Sequence, residues 1–148
     1  MGVVAKRKRR VSSSPPPSSS GVHSRTPPLA LVVDDSSETR ELHVQCLSLA
    51  GWRVASAADG SEGLGLARDL VPDLLLLEMD LPVLDGWQVA RSLKADARTE
   101  VIAVIAMTSR PDQAFRVGAT LMGCAGAVAK DCSPEELLAR AREAIADR

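Results

Sequence analysis

The chain is poor in aromatic residues: its 148 residues include no tyrosine, one phenylalanine and two tryptophans. Phe115, Trp52 and Trp87 cannot fill a core between them, so the interior must be built from Leu, Val, Ile and Ala. That composition suits a parallel sheet covered by helices on both faces. Cysteine is scarce as well. Cys46, Cys124 and Cys132 are odd in number and far apart, with neither metal-ligand nor redox-pair spacing, which points to reduced thiols rather than a disulfide framework. No stretch approaches the roughly 18 apolar residues that a bilayer span requires. The basic run near the start is not followed by the apolar segment of a secretory signal. No transmembrane segment and a cytoplasmic location are therefore expected. Internal repeats are absent, and so is a glycine-rich loop that would cradle a phosphate.

What is present is divided unequally. Residues 1–28 hold six basic residues and no acid, whereas residues 29–148 hold the other 12 basic residues and all 19 acidic ones. The first segment is also rich in Ser and Pro, with SSSPPPSSS at 12–20. It has too little apolar bulk to offset the entropy of ordering, so residues 1–28 read as a disordered tail. The run from Lys6 to Arg10 is a candidate for nucleic acid or an anionic surface. A plain solvated tail is the competing reading, since no aromatic residues interleave with the charges.

From residue 29 strands alternate with helices. LALVV at 29–33 is a short, wholly apolar run, as a buried strand should be. A helix is expected over about 36–50, with Leu42, Cys46 and Leu49 on its inner face and Gly51 as its stop. Residues 52–56 form a second strand, Asp59-Gly60 a turn, and 61–70 a helix weakened by Gly63 and Gly65. Residues 73–79 and 101–107 are further buried strands. Between them, Asp85 and Gln88 have the spacing of a capping box, flanked by Leu84 and Val89 as a hydrophobic staple. A helix near 111–122 places Phe115, Ala119 and Met122 on one side, and GAVA at 126–129 is the fifth strand. Ser133 and Pro134 then announce the last helix, whose stripe is Leu137, Ala141, Ala144 and Ile145. His43 is read as a single, partly exposed helix residue without a second ligand. The fold class expected is α/β, a single doubly wound five-stranded parallel sheet with five helices.

In such sheets chemistry collects beyond the carboxyl ends of the strands. There the sequence places Asp34 and Asp35 after the first strand and Glu78 at the end of the third. Thr108 and Ser109 follow the fourth strand, and Lys130 the fifth. Paired carboxylates suit a hard divalent cation such as Mg²⁺; a hydroxyl and an ammonium suit the oxygens of a phosphoryl group. Each residue also has a plainer role. Asp34 and Asp35 can cap the first helix with Glu38, Thr108 can cap a turn, and Lys130 can be a surface charge. The convergence of all of them on one edge is what favours a site.

Four segments carry a resemblance to one family. LVVDDSS, LLLLEMDLPVLDG, VIAMTS and GCAGAVAK resemble, in order, the acidic pair, the phosphoacceptor loop, the conserved Thr/Ser and the lysine segment of response-regulator receiver domains. The resemblance covers 29–148 and implies the flavodoxin-like strand order 2-1-3-4-5. It implies a phosphoacceptor position at 78, with Thr108 and Lys130 contacting the phosphoryl group. Mg²⁺ would be held by Asp34, Asp35, the acid at 78 and the backbone carbonyl of Asp80.

Three positions depart from the family pattern. Glutamate stands at 78 where the family keeps aspartate, which lengthens the side chain by about 1.5 Å. A shift near 1 Å costs about a hundredfold in a positioned reaction, so phosphoryl acceptance and Mg²⁺ binding should be weakened or lost. Ala127 replaces an aromatic residue of the usual switch, and Asp131 a proline after the lysine. The expected function is a stand-alone, non-enzymatic signalling module, since no output domain follows the last helix. It would act through a protein partner on the face of the last two helices and the fifth strand, independently of phosphorylation or held partly active by Glu78. The alternatives are a conventional phosphoacceptor served by a histidine kinase and an adaptor tethered to nucleic acid by its basic tail.

Overall fold

The structure, a computed structural model, describes residues 26–147. The basic run at 6–10 and nearly all of the tail expected over 1–28 lie outside the described residues. Five strands, β1 (Leu29–Val33), β2 (Arg53–Ala57), β3 (Leu74–Glu78), β4 (Ala103–Thr108) and β5 (Gly126–Ala129), alternate with five helices. The helices are α1 (Ser37–Leu49), α2 (Gly60–Leu70), α3 (Gly86–Lys94), α4 (Gln113–Leu121) and α5 (Pro134–Ala146). All strand pairs are parallel, in the order β2-β1-β3-β4-β5, as expected. Among the described residues no helix is long and apolar enough to cross a membrane.

Alternation along the central strands divides the core in two. Leu31, Val33, Leu75, Leu77, Val104 and Ala106 pack beneath α2, α3 and α4. Ala30, Val32, Leu74, Leu76, Ile105 and Met107 pack beneath α1 and α5. Being buried on both faces is what makes the central strands continuous apolar runs. Trp87 and Phe115 meet edge to face at 5.6 Å between α3 and α4, at the rim of one layer, and Trp52 is buried in the other.

Capping follows local sequence. Ser36, Asp59, Asp112 and Ser133 each accept a hydrogen bond from the amide three residues on. Asp85 and Gln88 form the full reciprocal box. Asp59 therefore starts α2 rather than a free turn, and Ser36, not Asp34 or Asp35, caps α1. Gly63 has a packing reason to be in α2, because a Cβ there would lie 2.8 Å from the Val33 side chain.

The inner face of α1 differs from expectation. Leu42 is 59% and Leu49 84% exposed, while His43 and Leu47 are the buried residues. The sequence holds two overlapping stripes, 42/46/49 and 43/47, and apolarity alone favours the first. The second wins where the fold supplies a backbone acceptor for one imidazole nitrogen, which offsets part of the cost of burying His43. β4 begins two residues later than expected, since Thr99 and the amide of Ile102 close a turn before it.

Candidate functional site

The parallel register brings four strand ends to one edge. β1 ends at Val33, so Asp34 follows directly; its amide donates to Ala57 O at 3.2 Å, and its side chain is 0% exposed. β3 ends on Glu78, 3% exposed, and β4 on Thr108, also buried. Lys130 follows β5, and its amide donates to Thr108 O at 2.9 Å. Asp35 turns outward and is exposed.

At the centre lies one ammonium between two carboxylates. Lys130 Nζ is 2.9 Å from Asp34 Oδ1 and 2.9 Å from Glu78 Oε1. Burial disfavours the ammonium, but the hydrogen bonds and charges of Glu78 and Asp34 outweigh it and hold Lys130 above the ordinary lysine value. The other oxygen of Glu78 accepts from the Asp80 amide at 2.7 Å. Asp34 Oδ1 also accepts from the Ser36 amide at 3.0 Å, and Arg40 Nη1 donates to Asp34 O at 2.7 Å.

Thr108 belongs to a second cluster. Its hydroxyl donates to Asp80 Oδ2 at 3.2 Å and accepts from the Arg110 amide at 3.3 Å. Asp34, Glu78 and Lys130 are thus in direct contact, and Thr108 joins them through Asp80. Two contacts were not legible in the sequence. The carboxylate of Asp80, whose backbone carbonyl the resemblance assigns to a metal, engages Thr108. His43, read as partly exposed, is 4% exposed, and its Nε2 is 3.2 Å from Lys130 O. Burial pushes that imidazole below its ordinary value of 6.5.

The loop after Glu78 is held by close approach. A Cβ on Gly86 would lie 2.5 Å from Glu78 O and 2.6 Å from Met79 Cα, and the Gly86 amide donates to Met79 O at 3.1 Å. At the loop tip Val83 adopts a positive φ of 64°, the left-handed region a β-branched residue rarely enters.

Mg²⁺ requires several oxygen ligands on one centre. Here Lys130 takes Glu78 Oε1 and Asp34 Oδ1, and the Asp80 amide takes Glu78 Oε2. Asp34 Oδ2 is buried without a hydrogen-bond partner among the described residues and could serve a cation. It stands alone, however. Among the described residues no three His, Cys, Asp or Glu side chains are grouped to hold a metal. As arranged, Asp34 Oδ1 and both oxygens of Glu78 are already engaged, and the ammonium supplies the positive charge.

Comparison with known proteins agrees with the geometry. Residues 30–142 match the response regulator receiver domain model. The chain is 35% identical over 115 residues to the DNA-binding dual master transcriptional regulator RpaA of Synechocystis sp., covering 78% of this chain and 48% of that protein. It is 33% identical over 108 residues to protein PilH of Pseudomonas aeruginosa, covering 73% of this chain and 89% of PilH. The chain spans about half the length of RpaA and of the other transcriptional regulators that it matches beside it. Among solved structures, the receiver domain of sensor histidine kinase PA1611 from Pseudomonas aeruginosa, with a magnesium ion in its active-site cleft, superimposes with a TM-score of 0.74. It is 27% identical, over 81% of this chain and 98% of that one. In fold, in the order of its strand-end residues and in family match, the chain belongs to the response regulator receiver domains of two-component signalling.

Proposed function

We propose that residues 29–148 act as a receiver-type module that signals through protein–protein contacts without being phosphorylated, the Glu78 carboxylate standing in part for a phosphoryl group. The observation that carries this reading is the ion bridge, with Lys130 Nζ at 2.9 Å from both Glu78 Oε1 and Asp34 Oδ1. Thr108 is engaged in parallel by Asp80. The ammonium and the hydroxyl that would meet phosphoryl oxygens are both already held by carboxylates of the chain itself. The mimic is partial, because a carboxylate carries one charge where a phosphoryl group carries up to about two. Glu78 would weaken Mg²⁺ binding by the same geometry, since both its oxygens are engaged.

The partner surface in this reading is the face of α4, β5 and α5. Its support is the apolar exposure of Val117 and Leu121 on α4 beside a shallow groove of about 490 Å³. Ala127 on β5 puts no aromatic ring between site and surface, so this face would keep one form.

The test is an NMR titration with Mg²⁺ and then beryllofluoride on the protein and its Glu78→Asp variant. The reading predicts shifts spreading from 78, 108 and 130 into α4 and α5 in the variant alone. Equal responses in the two proteins would return the chain to conventional phosphoacceptance from a histidine kinase.

A further inference from the structure

His43 is a buried polar group that the reading above does not use. It lies in the middle of α1, 4% exposed, and pairs with the backbone carbonyl of a residue 87 positions away. A carbonyl can only accept, so Nε2 carries the proton. Nδ1, buried with no hydrogen-bond partner among the described residues, is then the bare nitrogen of a neutral ring. The charged groups facing the imidazole are Asp34 and Lys130.

We propose that His43 is a positioning residue for Lys130, its Nε2–H holding the Lys130 carbonyl so that the side chain is aimed between Asp34 and Glu78. The Lys130 peptide is gripped from two directions. Its N–H donates to Thr108 O at 2.9 Å and its C=O accepts from His43 at 3.2 Å. Such a grip matters because a lysine ammonium sits on a flexible four-carbon stem. The next residue, the exposed Asp131, has no ring to fix its φ. Only Asp131 and Cys132 separate Lys130 from Ser133, the cap of α5.

The same helix secures the ammonium's acceptor. Asp34 takes the Ser36 amide at 3.0 Å, and Arg40 binds its carbonyl at 2.7 Å. Helix α1 and its cap thus hold the acid that receives Lys130 and the imidazole that directs it, and these contacts close a ring through one rigid element. This deepens the proposed function and rests on its ion bridge.

The test compares the full chain with its His43→Leu and His43→Gln variants by ¹⁵N NMR, reading the His43 tautomer and the solvent exchange of the Lys130 ammonium protons. The native protein should show the Nε2–H tautomer. Loss of one hydrogen bond should speed ammonium exchange on the order of tenfold in His43→Leu. His43→Gln, whose amide can donate from the same place, should restore slow exchange, which a purely packing role for the ring would not predict. An Nδ1–H tautomer in the native protein overturns the proposal, as does a folded His43→Leu variant with native ammonium exchange. Should the leucine variant not fold, the native tautomer and the glutamine variant still decide. Neither readout involves phosphoryl acceptance, so this proposal and the one above fail separately.

Discussion

Replacing Lys130 with methionine removes the only cation that, among the described residues, pairs with two carboxylates that are 0% and 3% exposed. Each contact at 2.9 Å is worth about 6 kcal/mol of gross attraction at an effective dielectric near 20, most of it spent on desolvating the three charges. The net cost of removing one partner is dominated by what is left behind: Asp34 and Glu78 would face each other as uncompensated buried anions. Breaking buried pairs in this way costs about 3–5 kcal/mol, and methionine keeps most of the stem's packing, so the loss reports charge. Urea denaturation at pH 7 would measure it. A Lys130→Met protein within about 1 kcal/mol of the parent at pH 7 would refute the reasoning, because that is the scale of an exposed, solvated pair.

Four further outcomes are expected. Gly63→Ala should destabilise the domain by about 1–3 kcal/mol by driving a methyl into Val33. Gly65→Ala, with open space around it, should stabilise α2 by up to about 1 kcal/mol; chemical denaturation of both variants checks the contrast. Because burial lowers the His43 value below 6.5, the unfolded chain takes up a proton that the fold resists. That contribution is complete above about pH 6.5 and declines as pH falls through the lowered value; denaturation midpoints across this range should lose the component in His43→Leu. Burial pushes the Cys124 thiol up to about 11, so at pH 8 it should be the slowest of the three cysteines to react with iodoacetamide, read by mass spectrometry.

Much of this architecture was legible from the sequence because its signals are local. The apolar runs of β1, β3 and β4 mark strands buried on both faces, and the caps at Asp85 and Ser133 need only residues three positions apart. The strand-end residues Asp34, Glu78, Thr108 and Lys130 were legible as a set, since alternating topology places every strand end on one edge. What escaped depends on distant contacts. Burial of His43 is decided by a carbonyl 87 residues away, and no periodicity within α1 reveals it. The Asp80 side chain turns to Thr108 across the gap between two loops, a choice that spacing cannot show. Gly63 looked like a weakness in α2 and is instead a point of helix–strand approach.

The central claim is that the Glu78–Lys130–Asp34 bridge replaces phosphoryl chemistry at this edge. Intact-mass spectrometry after incubation with Mg²⁺ and a small-molecule phosphodonor tests it most directly, on the protein and on Glu78→Asp. The account predicts an unmodified parent and a variant that gains one acid-stable, base-labile phosphoryl group. A parent modified as fast and as fully as the variant would contradict it.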